Sequence, residues 1–117
     1  MRVVVVFFLA YISAYAFSHS IADMQKACDI NNSGVDCLFA SIYLRDGNET
    51  SKPDLKKSIY YLHKACKLNV PVACYNLGNF YAKVLHDNTT ALKLYDKACK
   101  RDFKNACYNY HILNGDI

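Results

Sequence analysis

Nothing in the 117-residue chain serves as a linker: its two prolines and four glycines never gather, and no stretch is of low complexity. That leaves one domain rather than two. Runs of basic residues are missing as well. The lysines are spread along the chain, and the formal net charge of +4 falls by one if Arg2 is removed with a leader, so neither nucleic acid nor an acidic membrane surface is implied as a partner. A long apolar run is also lacking. Residues 3–17 are mostly apolar but fall short of the ~18 or more that a membrane span needs. Their order is instead that of a secretory signal peptide: Met1 and Arg2, then Val3 to Ile12 apolar without a break, then small residues. Ala14-Tyr15-Ala16 supplies an A-x-A cleavage site, with Ala16-Phe17-Ser18 as its neighbour. The expectation is a leader over residues 1–16, cleaved near Ala16–Ser18, and a mature chain (17–117) that is secreted or periplasmic and carries no membrane span; an uncleaved anchor is the rival. No cysteine stands near the cleavage sites, which argues against lipoprotein acylation.

What the chain does have is cysteine. Roughly one hundred mature residues are thin for a self-sufficient core, and six cysteines in an exported chain imply three disulfides as extra staples. They recur in register. "KACDINNSGVDC" starts at Lys26, "KACKLNVPVAC" at Lys64 and "KACKRDFKNAC" at Lys97, so the first cysteines (Cys28, Cys66, Cys99) stand 38 and 33 residues apart. The second cysteines (Cys37, Cys74, Cys107) stand 37 and 33 apart. A period in the thirties indicates helix-pair units.

The segments leading into the second and third copies carry apolar residues at helical spacing: Leu55, Ile59, Leu62, Ala65, Cys66 in one, Ala91, Leu94, Tyr95, Ala98, Cys99 in the other. Ser51 is the expected cap of the first, with Pro53 and Asp54 in its opening turn, and Asn88 or Thr89 of the second. "ACYNLGNFYAKVL" and "ACYNYHIL" follow the second cysteines as further helices, with Pro71 at a first helical position. Each unit is a helix, a tight turn and a helix. An antiparallel hairpin sets Cys66, in the last turn of one helix, beside Cys74, in the first turn of the next, within the roughly 5.5–6 Å between Cα atoms that a disulfide favours. The pairing expected is Cys28–Cys37, Cys66–Cys74 and Cys99–Cys107, each closing a short loop worth about 2.5 kcal/mol in the chain-entropy model. A metal site is the rival, prompted by His63 and His111 near cysteines. The C-x7-C spacing is too wide for zinc, so no metal or cofactor is expected.

Leu77-Gly78-x-x-Tyr81 followed by Ala91-x3-Tyr95-x2-Ala98 resembles the Sel-one-like repeat, a relative of the tetratricopeptide repeat. With a cysteine pair in every copy, the chain is similar to the Helicobacter cysteine-rich protein family. The resemblance implies an all-α fold: an α/α solenoid of about three helix-turn-helix repeats (about 20–47, 54–85 and 89–114), each with one intra-hairpin disulfide. The first copy has one extra residue between its cysteines and opens on a short helix, Ile21 to Asp29, as a cap would. In the last copy the small residue at Ser41 and Gly78 becomes His111.

The resemblance also implies binding of penicillin-type β-lactams or a peptidoglycan-like small molecule, with slow β-lactamase activity. The residues do not supply it independently: S-x-x-K, S-D-N and K-T-G are all missing, and His19, His63, His86 and His111 form no H-x-H-x-D pattern. Catalytic residues are therefore unassigned. The alternative is a non-catalytic module that binds a protein or peptide on its concave face. Tyr75, Asn76, Asn79, Tyr108 and Asn109 are the candidate groove residues, with the seam between helices as their other possible destination. Asn48 and Asn31 are candidate glycosylation acceptors, each in N-x-[ST] with an acid two residues earlier.

Overall fold

A computed structural model describes residues 20–48 and 51–116. The leader over residues 1–16 and its cleavage site lie outside them. The described residues form six α-helices and no strand: α1 (Ile21–Asn31), α2 (Gly34–Asp46), α3 (Leu55–Lys67), α4 (Pro71–Lys83), α5 (Asn88–Cys99) and α6 (Lys104–Asn114). Each packs on the next in a running antiparallel array, and the most extensive packing is α2 on α3 and α4 on α5. This is the expected α/α solenoid.

Short polar side chains start four of the helices. Ser20 accepts from the Asp23 amide while Asp23 accepts from the Ser20 amide, a capping box that opens α1. Ser33 caps α2 by accepting from the Asp36 amide. For α3 and α5 the caps differ from expectation. Asp54, not Ser51, accepts from the Lys57 amide, and Asp87, not Asn88 or Thr89, accepts from the Thr90 amide and hydroxyl. The reason lies in the loop before α3. Ser51 is engaged in a turn with Asn48, whose Oδ1 accepts from the Ser51 amide at 2.7 Å, and the chain then returns to α2 through a bond from the Asp54 amide to the Leu44 carbonyl. Both caps are carboxylates, which suit the positive end of a helix better than an amide or hydroxyl. Pro71 occupies the first turn of α4, where its missing N–H leaves nothing unpaired.

The three stapled turns share one construction. The amides of Ser33, Val70 and Phe103 bond back to the carbonyls of Ala27, Ala65 and Ala98, the alanines of the three K-A-C triplets. Asn32, Asn69 and Asp102 take the left-handed conformation that ends the preceding helix, a position Asn and Asp tolerate well. The extra residue of the first copy is absorbed within that turn. All three disulfides form as paired above, with Cα–Cα distances of 4.8, 4.6 and 4.7 Å.

Small residues let the helices close. At the α2/α3 crossing Ser41 meets Ser58: the Ser58 hydroxyl donates to the Ser41 carbonyl at 2.7 Å, and the two hydroxyls lie 3.2 Å apart. At the corresponding α4/α5 crossing the pair is Gly78 and Ala91, and the room is filled by Tyr95, which stands where Leu62 stands one unit earlier. A Cβ on Gly78 would lie 2.7 Å from the Tyr95 ring.

Candidate functional site

The helices that follow the second cysteines, α2, α4 and α6, carry the groove residues named from the sequence. Repeat register aligns Phe39, Asn76 and Asn109 as one row, Ile42, Asn79 and Ile112 as a second, and Tyr43, Phe80 and Leu113 as a third. The rows differ in how much they leave open. On α2, Val35, Phe39 and Tyr43 are spaced four residues apart and are 58 %, 44 % and 43 % exposed, a stripe of large apolar side chains that no other described element covers. On α6, Tyr108 and Ile112 are also exposed.

The candidate residues do not act together. Tyr75 fills the seam, its ring 5.1 Å from Phe103 and 6.1 Å from Tyr95. Asn79 serves the fold: its Oδ1 accepts from the buried Tyr95 hydroxyl at 2.6 Å and from Asn109 Nδ2 at 3.2 Å. Asn109 is tied to the same oxygen. Asn76 is different. It borders a cleft of about 130 Å³ with Ser41, Ile42, Arg45, Leu55, Ser58, Ile59, Leu62 and Phe80, and among the described residues its carboxamide has no hydrogen-bond partner. Arg45 at the mouth is held by Asp46 through two bonds, of 2.8 and 3.1 Å.

One role was missed in the sequence, although the signal was threefold. The lysine of K-A-C reaches back to the end of the first helix of the preceding hairpin. Lys97 Nζ donates to the Cys66 carbonyl at 2.9 Å, and Lys64 Nζ pairs with Asp29 at 3.1 Å. Lys97 thus meets a carbonyl at a helix end, where the partial negative charge favours a cation, while Lys64 meets a side-chain carboxylate in the last turn of α1. Tyr61 completes the first contact by donating its hydroxyl to Asp29 at 2.8 Å. Burial, with Asp29 beside it, pushes the Tyr61 hydroxyl up to about 12. At Asp29 burial works the other way, but the Tyr61 and Lys64 hydrogen bonds prevail and hold the carboxyl below its ordinary range.

The sequons are placed differently from each other. Asn31 is the last residue of α1 and exposed; Asn48 is exposed in the α2–α3 loop, with its Oδ1 engaged by the Ser51 amide. His63 and His111 stand apart, the first 3.2 Å from the Tyr81 hydroxyl and the second 3.2 Å from Asp116. Among the described residues no group of three or more His, Cys, Asp or Glu gathers as metal ligands would. The buried serine hydroxyls face each other rather than a lysine or histidine.

Six antiparallel helices in sequential contact, repeating every thirty-odd residues and stapled at alternate turns, define an α/α-repeat protein. The chain belongs to the Sel1 repeat family: the Sel1 repeat model matches residues 37–70 and 71–103, more than half of the sequence. Comparison with curated proteins and with solved structures gave no match. The matched units pair α2 with α3 and α4 with α5, the two most extensive contacts. The stapled hairpins are the same array cut one helix earlier, so Cys66–Cys74 joins one matched unit to the next, while Cys28–Cys37 and Cys99–Cys107 fasten α1 and α6 to the ends. Three disulfides suit a non-reducing compartment, and among the described residues no helix is long and apolar enough to cross a membrane.

Proposed function

We propose that the chain is a secreted or periplasmic binding module that holds an extended peptide or protein segment along the face of α2, α4 and α6. The observation that carries this is the row Phe39–Asn76–Asn109 and its neighbours. They place exposed apolar groups on α2 and α6 and, on α4, the Asn76 carboxamide, which has no hydrogen-bond partner among the described residues; α2 and α4 are the first helices of the matched Sel1 units. Stacked helix pairs present such a face as a continuous surface, and large apolar side chains beside an amide offer both contact area and a hydrogen bond to a peptide backbone. Export is supported by the signal-peptide order of residues 1–16 and by the disulfides. Glycosylation at Asn48 or Asn31 belongs to the same reading of an exported chain.

The β-lactam activity implied by likeness to the Helicobacter cysteine-rich proteins stands second, because among the described residues no serine hydroxyl is hydrogen-bonded to a lysine or histidine, and the buried serines bond to each other. Two assays separate the readings. Oxidised protein is expected to turn over a chromogenic cephalosporin no faster than the buffer blank and to form no penicillin adduct. A displayed peptide library selected on it should yield binders that Phe39→Asp and Asn76→Ala each weaken and that Lys56→Glu, on exposed α3 surface, leaves unchanged. Cephalosporin turnover above the blank, or binders indifferent to both face substitutions, would overturn the proposal.

A further inference from the structure

The three staples differ in access. Cys28 and Cys37 are 0 % exposed, Cys66 4 % and Cys74 1 %, whereas Cys99 and Cys107 are both partly open to solvent. They also differ in charge. Lys100, Arg101 and Lys104 neighbour the third pair in sequence, against Asp102 and the Asp96 that pairs with Lys100, while the first pair has Asp29 and Asp36 as immediate neighbours of its cysteines. Cationic surroundings attract an incoming thiolate and stabilise the one that leaves. The helix α6 that this staple fastens is the last described element. It packs mainly on α5, has no side-chain cap at its start, and is tied to α4 by one side-chain hydrogen bond, Asn109 to Asn79, while the turn before it meets α4 through the Tyr75–Phe103 ring contact.

From access, charge and position together we infer that Cys99–Cys107 is a thiol–disulfide exchange site for an external dithiol, and that its opening releases α6 while the other staples stay closed. The inference does not depend on what the α2/α4/α6 face binds. The direction of exchange follows from the helix ends. Cys99 is the last residue of α5, at the negative end of that helix, and Cys107 lies one turn into α6, nearer a positive end. The better leaving thiolate is therefore Cys107. A thiolate of the dithiol attacks the Cys99 Sγ, the S–S electron pair departs on the Cys107 Sγ, and that sulfur takes up a proton. The second thiolate of the dithiol then closes on the mixed disulfide and expels Cys99, which is protonated in turn. The dithiol ends as a disulfide, and the protein gains two electrons and two protons. Without the staple, α6, the last described helix, is held by its packing on α5 and the single Asn109–Asn79 hydrogen bond, and an element so lightly fastened opens at low cost.

The test uses the full oxidised chain under native conditions with limiting dithiothreitol, an iodoacetamide quench and peptide mapping. The first two alkyl groups should fall on Cys99 and Cys107 before the other four cysteines react, and amide exchange should quicken over α6 but not over α1 to α4. The Cys99→Ala/Cys107→Ala variant should lose that first phase and keep the later ones. With glutathione in place of the dithiol and an acid quench, the adduct should sit on Cys99. First labelling at Cys28, Cys37, Cys66 or Cys74, or equal labelling of all six, would overturn the site; an adduct on Cys107 would overturn the direction.

Discussion

Gly78→Ala adds one methyl group where the structure has no room for it. The new Cβ would stand 2.7 and 2.8 Å from two ring carbons of Tyr95 and 3.3 Å from a third. Tyr95 has little freedom to yield, since it is 2 % exposed and its hydroxyl donates to Asn79 at 2.6 Å. Two effects oppose. Alanine gains about 1 kcal/mol over glycine in a helix interior, while forcing a methyl into a packed contact costs about 1–3 kcal/mol. A ring displaced far enough to break its hydrogen bond loses about 1 kcal/mol more. The net is a destabilisation of about 1–3 kcal/mol, which lowers Tm by roughly 4–8 °C for each kcal/mol in a domain of this size. The other crossing supplies the control, because there Ser41, larger than alanine, is accommodated opposite Leu62. In a Tyr95→Leu background the same Gly78→Ala change should therefore be neutral or stabilising. Thermal unfolding of the four proteins of this double-mutant cycle measures the coupling. A single Gly78→Ala variant as stable as the parent, or a penalty unchanged by Tyr95→Leu, would refute the account of this crossing.

The K-A-C lysines should differ by position: Lys97→Met loses the bond to the Cys66 carbonyl and about 1 kcal/mol, read as a lower urea midpoint, whereas Lys26→Met, on exposed α1 surface with no helix before it among the described residues, should leave the midpoint unchanged. Asp29 is held below its ordinary value of 3.8, so the stability it contributes is complete above 3.8 and lost as pH falls through its lower folded value; Asp29→Asn should flatten that acid limb of stability against pH. Tyr61 shows the opposite sign. Its contribution is complete below 10 and lost as pH rises towards about 12, so spectrophotometric titration should find a late tyrosine that Asp29→Asn brings earlier. Replacing both Cys66 and Cys74 by alanine opens a loop with a sequence separation of 8 and should cost about 2.5 kcal/mol in chemical denaturation; an unchanged midpoint would show that the junction does not need its staple.

The array was legible because its signals were repeated. Three cysteine pairs in register and apolar residues at helical spacing located every helix, and the hairpin geometry chose the pairing that forms. Cap residues were less legible: Ser51 and Asn88 are ordinary caps, but whether Ser51 is free to cap depends on the turn it makes with Asn48, a contact that local sequence does not announce. The groove was harder still. Asn76, Asn79 and Asn109 look alike in sequence, yet Asn79 and Asn109 are claimed by the Tyr95 hydroxyl and by each other, and only Asn76 faces a cleft with its amide unclaimed. The lysine of K-A-C marked the register without disclosing its task, because the carbonyl it meets belongs to the previous hairpin, 31 residues away.

The central claim is that the α2/α4/α6 face is where this Sel1 repeat chain holds its partner. Amide hydrogen exchange, with and without a selected peptide, tests it most directly. The account predicts slowed exchange over α2 and α4, centred on Phe39 and Asn76 and extending to α6, with α3 and α5 unchanged. Protection confined to α3 and α5, or a bound peptide that leaves α2 and α4 unprotected, would contradict it.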